Sequence, residues 1–177
     1  MAAVQAGDRA ALAALVARHH SSLLGYLYNM VGGDRPLAED LVQETFVRLL
    51  RGGHYTVDRA FKPWLYAIAT NLARDHFKAA ATRYAAPGAV APDRPDPEPE
   101  PEAQALAAEQ GQQVAAALAR LGPEYRAALV LRFYGDLSLQ EVATTLGTPV
   151  GTVKSRLSVG CRRLRAILTG AQEASER

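Results

Sequence analysis

Six of the ten prolines fall between Ala85 and Ala103, around the run DRPDPEPEPE. Neither a helix nor a central strand passes through such a run, because proline lacks the amide donor, fixes φ and clashes with the preceding turn. The segment also has too little apolar surface to fold alone. The chain is therefore expected to form two small folded blocks, residues 1–84 and 104–177, joined by a flexible Pro/acid-rich linker over 85–103. Charge follows the same division. Residues 1–84 hold 10 basic and 7 acidic groups, residues 85–110 hold 1 and 6, and residues 111–177 hold 9 and 5. The net charge of +2 conceals two basic blocks on either side of an acidic connector.

Both blocks are expected to be helical, giving an all-α fold of two small domains. Hydrophobic residues make up 49% of the chain, much of it alanine, which favours helix. No stretch alternates apolar and polar residues over a convincing strand length. There is no run of about 18 apolar residues to span a bilayer, and Asp8 precedes any apolar stretch, so no signal peptide is expected. A single cysteine excludes an intramolecular disulfide framework. These features lead to the expectation of a cytoplasmic protein without direct membrane insertion.

The second block carries the sharper pattern. In SLQEVATTLGTPVGTVKSRLSVGCRRLR, Ser138 and Glu141 are spaced as a capping box, and Gly147 suits the left-handed residue that ends a helix. Thr148 is then positioned to cap a second helix, with Pro149 in its first turn. A short helix, a glycine turn and a longer helix form a helix-turn-helix, whose second helix enters the major groove. At about 100° per residue, Val150, Val153, Leu157, Leu164 and Leu168 fall on a buried stripe. Thr152, Ser155, Val159 and Arg162 fall opposite, toward base edges, with Lys154, Arg156, Arg163 and Arg165 flanking them for phosphates. From Gln140 to Gln172 the only acidic residue is Glu141, which favours a polyanionic partner. A basic amphipathic helix that is merely solvated is the plainer alternative.

Four helical segments are expected in the first block. One runs from about Arg9 to Tyr28, with a break near His19–Ser22. PLAEDLVQETFVRLLR is the next, with Leu37, Leu41, Val42, Thr45, Phe46 and Leu49 inward and Asp40, Gln43, Glu44 and Val47 on another face. FKPWLYAIATNLARDHFKAA is expected to be one long helix from about Lys62, with Phe61, Leu65, Ile68 and Leu72 inward. Asn71, Arg74 and Lys78, at i, i+3 and i+7, make a polar and basic stripe, with Trp64 and Tyr66 beside it. Basic groups interleaved with aromatics suit opened nucleic acid, whose bases stack on rings, although aromatics at helical spacing are more often core. His19, His20, His54 and His76 lack metal-site spacing with cysteine partners. No phosphate loop, nucleophile elbow or metalloprotease motif occurs, so neither an enzyme nor a cofactor is expected.

Together, EDLVQETFVRLL, PWLYAIATNLARDHF and LGPEYRAALVLRFYGDLSLQEVATTLGTPVGTVKSRLS resemble the extracytoplasmic-function (ECF, or group 4) sigma factors of bacterial RNA polymerase, in the same order. The resemblance implies that Asp40, Gln43 and Glu44 belong to a region that docks on the polymerase β′ subunit. It implies that Trp64, Asn71, Arg74 and Lys78 lie in the helix that reads the −10 element. The loop from about Gly53 to Phe61 matches the loop that captures a flipped base of the melted non-template strand. Thr152, Lys154, Ser155, Arg156, Ser158, Val159, Arg162 and Arg163 would meet the duplex −35 element. The acidic linker would thread through the polymerase near the RNA path. Core polymerase (β′ and β subunits), promoter DNA and an anti-sigma factor are the implied partners. Two positions depart from the family pattern. Val159 stands where an arginine is common, and Cys161 falls at the edge of the buried stripe and reads as a small core residue. A regulator that uses its helix-turn-helix without polymerase is the other reading of these residues; it would not need the EDLVQETF face.

Overall fold

The computed structural model describes residues 2–5, 7–51, 55, 60–84 and 102–175. Among them the backbone forms eight helices and no strand. The first block comprises α1 (Ala2–Gln5), α2 (Arg9–Met30), α3 (Arg35–Arg51) and α4 (Phe61–Tyr84). The second comprises α5 (Glu102–Ala119), α6 (Pro123–Phe133), α7 (Leu139–Leu146) and α8 (Val150–Ser175). The linker expected over 85–103 lies outside the described residues up to 101. Its last two residues already belong to α5, because nothing in EAQALAAEQ opposes a helix once Pro101 is passed.

Asp8 starts α2 by accepting the Ala10 and Ala11 amides on Oδ1 at 2.8 and 3.0 Å, the arrangement of an N-cap. The break expected at His19–Ser22 is absent. Ser22 satisfies its hydroxyl inside the helix by donating to the His19 carbonyl at 3.1 Å, and buried Leu23, Tyr26 and Leu27 continue the helix beyond it. α4 begins at Phe61 and carries Pro63 in its first turn, where the missing amide breaks no intrahelical bond.

The core of the first block joins Leu23 and Leu27 of α2, Val42, Phe46 and Leu49 of α3, and Leu65 and Leu72 of α4. Each such side chain contributes about 1.5–3 kcal/mol on full burial. Tyr66 corrects the sequence reading. It is not beside a nucleic-acid stripe but fully buried, edge-on to Tyr26 with ring centroids 4.9 Å apart. Tyr26 Oη and Thr70 Oγ1 share a hydrogen bond of 2.7 Å, and Thr70 donates on to the Tyr66 carbonyl. Burial raises the Tyr26 pKa well above its ordinary value, so the phenol stays neutral.

The two blocks do not stand apart. α5 and α6 pack on α2, and α7 packs on α4, so one hydrophobic core runs through both. Small residues form the seam. A Cβ at Gly32 would lie 2.9 Å from Ala119 Cβ, and one at Gly33 3.5 Å from Ala115 Cβ. Gly32 and Gly33 also have φ of 76° and 91°, a region that side chains disfavour. At the other end of the seam, a Cβ at Gly135 would meet Tyr66 Cε1 at 3.1 Å and the Leu131 carbonyl at 2.6 Å.

Candidate nucleic-acid interface

The helix-turn-helix is built as its sequence suggests, with one exception. Ser138 Oγ accepts the Glu141 amide at 3.3 Å while Glu141 Oε2 accepts the Ser138 amide at 2.8 Å, a reciprocal capping box. Hydrogen bonds from Ser138, its hydroxyl first and its amide second, hold the Glu141 pKa below the usual carboxylate range. Gly147 ends α7 at φ 61°, and the Thr148 amide closes the turn on the Ala143 carbonyl at 3.0 Å. The exception is Thr148, which does not cap α8. Its hydroxyl is buried without a partner, and the Pro149 carbonyl instead accepts the first helical amide, from Val153, at 3.1 Å.

Val153 is fully buried, and Val150, Leu157 and Leu164 pack against the core beside it. Gly160, which the periodicity did not single out, is a point of close approach between α8 and α6. A Cβ there would lie 3.1 Å from Leu129 Cδ1. On the opposite side Lys154, Ser155, Ser158, Arg162 and Arg163 are exposed, and Thr152, Arg156 and Val159 are half-buried. Val159 therefore sits at a shoulder of this face rather than at its exposed centre. The Arg163 guanidinium lies 4.6 Å from the Tyr125 ring centroid, a cation–π contact that holds it along α8. Cys161 is exposed rather than at the edge of the core, while its neighbour Gly160 faces Leu129 and Tyr125 of α6.

In the first block, Asn71, Arg74 and Lys78 are all exposed on α4. Trp64 is half-buried in an aromatic cluster, with its ring centroid 5.0 Å from Tyr55 and 6.0 Å from Phe61. His19 of α2 closes the cluster at 5.2 Å from Phe61. Burial chiefly, and then the charges of Arg18 and Lys62, lower the His19 pKa, which favours a neutral ring. Nothing local in the sequence marks His19 for this cluster, since its aromatic partner lies 42 positions away. The loop proposed to capture a base falls outside the described residues except for Tyr55 and its last two positions.

On α3, Asp40 and Gln43 are exposed and Glu44 is half-buried. Glu44 has a partner within the chain. Its Oε1 accepts from Arg48 Nε at 3.1 Å, and Arg48 also lies 4.0 Å from Asp75 of α4. Such exposed pairs contribute only about 0.2–1 kcal/mol, so an incoming partner displaces them cheaply. Among the described residues no cluster of acids, histidines and cysteine could hold a metal, and no helix is long and apolar enough to cross a membrane.

Comparison with known proteins places these surfaces in a family. Residues 15–83 match the model of sigma-70 region 2, and residues 111–164 match that of sigma-70 region 4. The chain is 36% identical over 180 residues to the ECF RNA polymerase sigma factor SigE of Mycolicibacterium smegmatis, covering 96% of itself but only 66% of that protein. It is 34% identical to the RNA polymerase sigma-H factor of Pseudomonas aeruginosa, covering 87% of itself and 84% of the relative. The structure of CnrH in complex with the cytosolic domain of CnrY superposes with a TM-score of 0.70 at 26% identity, over 96% of this chain and 94% of CnrH. With both regions present in order, and the sigma-H relative matched over 84% of its length, the chain belongs to the ECF RNA polymerase sigma factors of the sigma-70 family.

Proposed function

We propose that this protein binds core RNA polymerase and directs promoter-specific initiation by reading two DNA elements and helping to melt one of them. The observation that carries this reading is the pair of exposed basic faces, one on α4 and one on α8, in the two regions that define the family. The first domain, 1–84, binds polymerase through Asp40, Gln43 and Glu44 of α3. Asn71, Arg74 and Lys78 of α4, with Trp64, hold the −10 element. Unstacking costs on the order of 1.4 kcal/mol per base-pair step, and contacts made only with unstacked bases offset part of it. The second domain, 104–177, reads the −35 duplex through Thr152, Lys154, Ser155, Arg156, Ser158, Val159, Arg162 and Arg163. The Pro/acid-rich linker connects them, with a reach of up to roughly 60 Å for about twenty extended residues. The protein is an initiation factor of the cytoplasm rather than an enzyme.

An anti-sigma factor is the proposed regulator. The sigma factor RpoE, whose fold this chain shares at 22% identity, was crystallised with the anti-sigma factor NepR from Bartonella quintana. CnrH, the nearer structural match of the two, is likewise bound to a cytosolic protein domain.

The test is transcription by purified core polymerase, with and without the protein, on pooled genomic promoters of its host. Factor-dependent transcripts that share two upstream elements are expected. Replacing Asp40, Gln43 and Glu44 together by alanine should weaken core binding by roughly tenfold or more while leaving duplex binding intact. Duplex binding without any effect on polymerase would replace this reading with a polymerase-independent regulator.

A further inference from the structure

Trp64, Asn71 and Lys78 stand seven residues apart in turn, close to two turns of α4 each time, so they share one line along the helix. The polar and basic stripe therefore begins at an aromatic group, and most of that group comes from outside the stripe. The Tyr55 and Phe61 ring centroids lie 5.0 and 6.0 Å from that of Trp64. Tyr55 also stands edge-on to Phe61, at 5.9 Å and 71°. The fourth ring comes from α2: His19 is tilted at 53° against Phe61, 5.2 Å away.

His19 ties these rings to a second helix. Phe61 is the first residue of α4, and helix ends fray, so an outside contact at that position steadies where the helix starts. Tilted ring pairs attract beyond the area they bury. All four rings are half-buried rather than enclosed, which leaves part of their surface open. A ring face held still and open is what an unstacked base requires, since every base has a π-face to lay on it. The charges around His19 suit the same purpose. Arg18 beside it on α2 and Lys62 on α4 add to burial in lowering its pKa, and Lys62 lies 3.7 Å from the Asp136 carboxylate in the turn before α7. At neutral pH the imidazole is therefore an uncharged ring among aromatic neighbours.

We propose that His19 of α2 is a positioning residue for the −10 element: it braces Phe61, and through it Tyr55 and Trp64, as an aromatic platform on which a base of the melted strand stacks. This inference deepens the initiation role above and rests on it, extending the contact assigned to Trp64 to a group that draws on two helices. Rings already ordered when DNA arrives lower the cost of binding, and their faces reward only a base that has left the duplex stack. His19 itself touches no DNA; its effect passes through Phe61.

The test uses the full chain assembled with core polymerase, on a promoter recovered from the pooled transcription. Its −10 bases are unpaired in advance by mismatches in the template strand, and affinity is read by fluorescence anisotropy. His19→Ala should weaken binding by roughly two- to tenfold, the worth of one lost ring pair, while core-polymerase binding and −35 duplex binding stay at the parent's level. His19→Leu, which fills the space without a ring, should do the same and replaces His19→Ala if that variant loses helicity. His19→Phe should restore the affinity. It should also keep it from about pH 8 to about pH 5.5, where the parent weakens. The cluster favours the neutral imidazole, so falling pH favours arrangements in which His19 leaves it. Unchanged affinity in folded His19→Leu overturns the proposal. So does a loss that core binding shares, which would make His19 a general prop of the fold. A loss that His19→Phe does not repair, or identical pH profiles for His19→Phe and the parent, overturns it too. A parent holoenzyme with no preference for this template over one of scrambled −10 sequence counts instead against the initiation role, and the platform falls with it.

Discussion

Gly160 offers the most demanding test of the packing that presents the DNA-facing helix. In the interior of an isolated helix, replacing glycine by alanine stabilises by about 1 kcal/mol, because glycine loses more backbone freedom on folding. At Gly160 the new methyl would lie 3.1 Å from Leu129 Cδ1, 3.3 Å from Leu129 Cγ and 3.5 Å from Tyr125 Cβ. Leu129 is only 3% exposed, so it has little room to retreat, and overpacking of this kind costs about 1–3 kcal/mol. The balance is a loss of up to about 2 kcal/mol. For a chain of this size that lowers Tm by up to roughly 8 °C, at about 2–4 °C per kcal/mol. Gly170 is the control within the same helix: it is exposed, and nothing lies within 4 Å of an added Cβ. Gly170→Ala should raise Tm by about 1–4 °C. Thermal unfolding followed by circular dichroism reads both. Adding Leu129→Val to Gly160→Ala should recover part of the loss, giving a coupling between neighbours that additive effects would not produce. If Gly160→Ala stabilised as much as Gly170→Ala, with no coupling to Leu129, the account of how α8 rests on α6 would be refuted.

The capping box gives a pH signature. Glu141 is held below its unfolded pKa, so its contribution is fully present above about pH 4.5 and is lost as pH falls through the depressed folded value. Stability measured by urea melts from pH 7 to pH 3 should therefore fall less steeply for Glu141→Gln, and Ser138→Ala should cost about 1 kcal/mol at neutral pH. An identical acid limb in Glu141→Gln and the parent protein would contradict this. On the proposed reading of the −35 duplex, Val159, on the shoulder of the α8 face, would meet a thymine methyl. Val159→Arg should change the preferred upstream sequence and add about one unit to the salt slope of duplex binding, and selection from a randomised duplex pool would show whether it does.

What the sequence determined alone is local. Caps, turn residues and apolar spacing act within a few positions, which is why Ser138, Glu141 and Gly147 delimit α7 and why the stripe of Asn71, Arg74 and Lys78 is legible from helical spacing alone. Proline likewise forbids helix through 85–101 by its own geometry. The family resemblance rested on the same local strings. Tertiary structure decided whatever depends on partners distant in the chain. Tyr66 reads as an aromatic beside a basic stripe until Tyr26, 40 residues earlier, is set against it. His19 joins the Phe61 and Trp64 cluster only through packing, and the Thr148 hydroxyl is buried without a partner instead of capping α8. The largest difference is the seam. Gly32, Gly33, Ala115 and Ala119 carry no periodic signature that separates close packing from a turn and a helix-favouring residue. Arg126 reads as one more surface cation until the Met30 carbonyl, 96 residues away, accepts from it. Composition shows where the chain can be parted, but only the fold shows that its halves are held together, because the contacts that hold them join small side chains and backbone carbonyls that leave no pattern in the sequence.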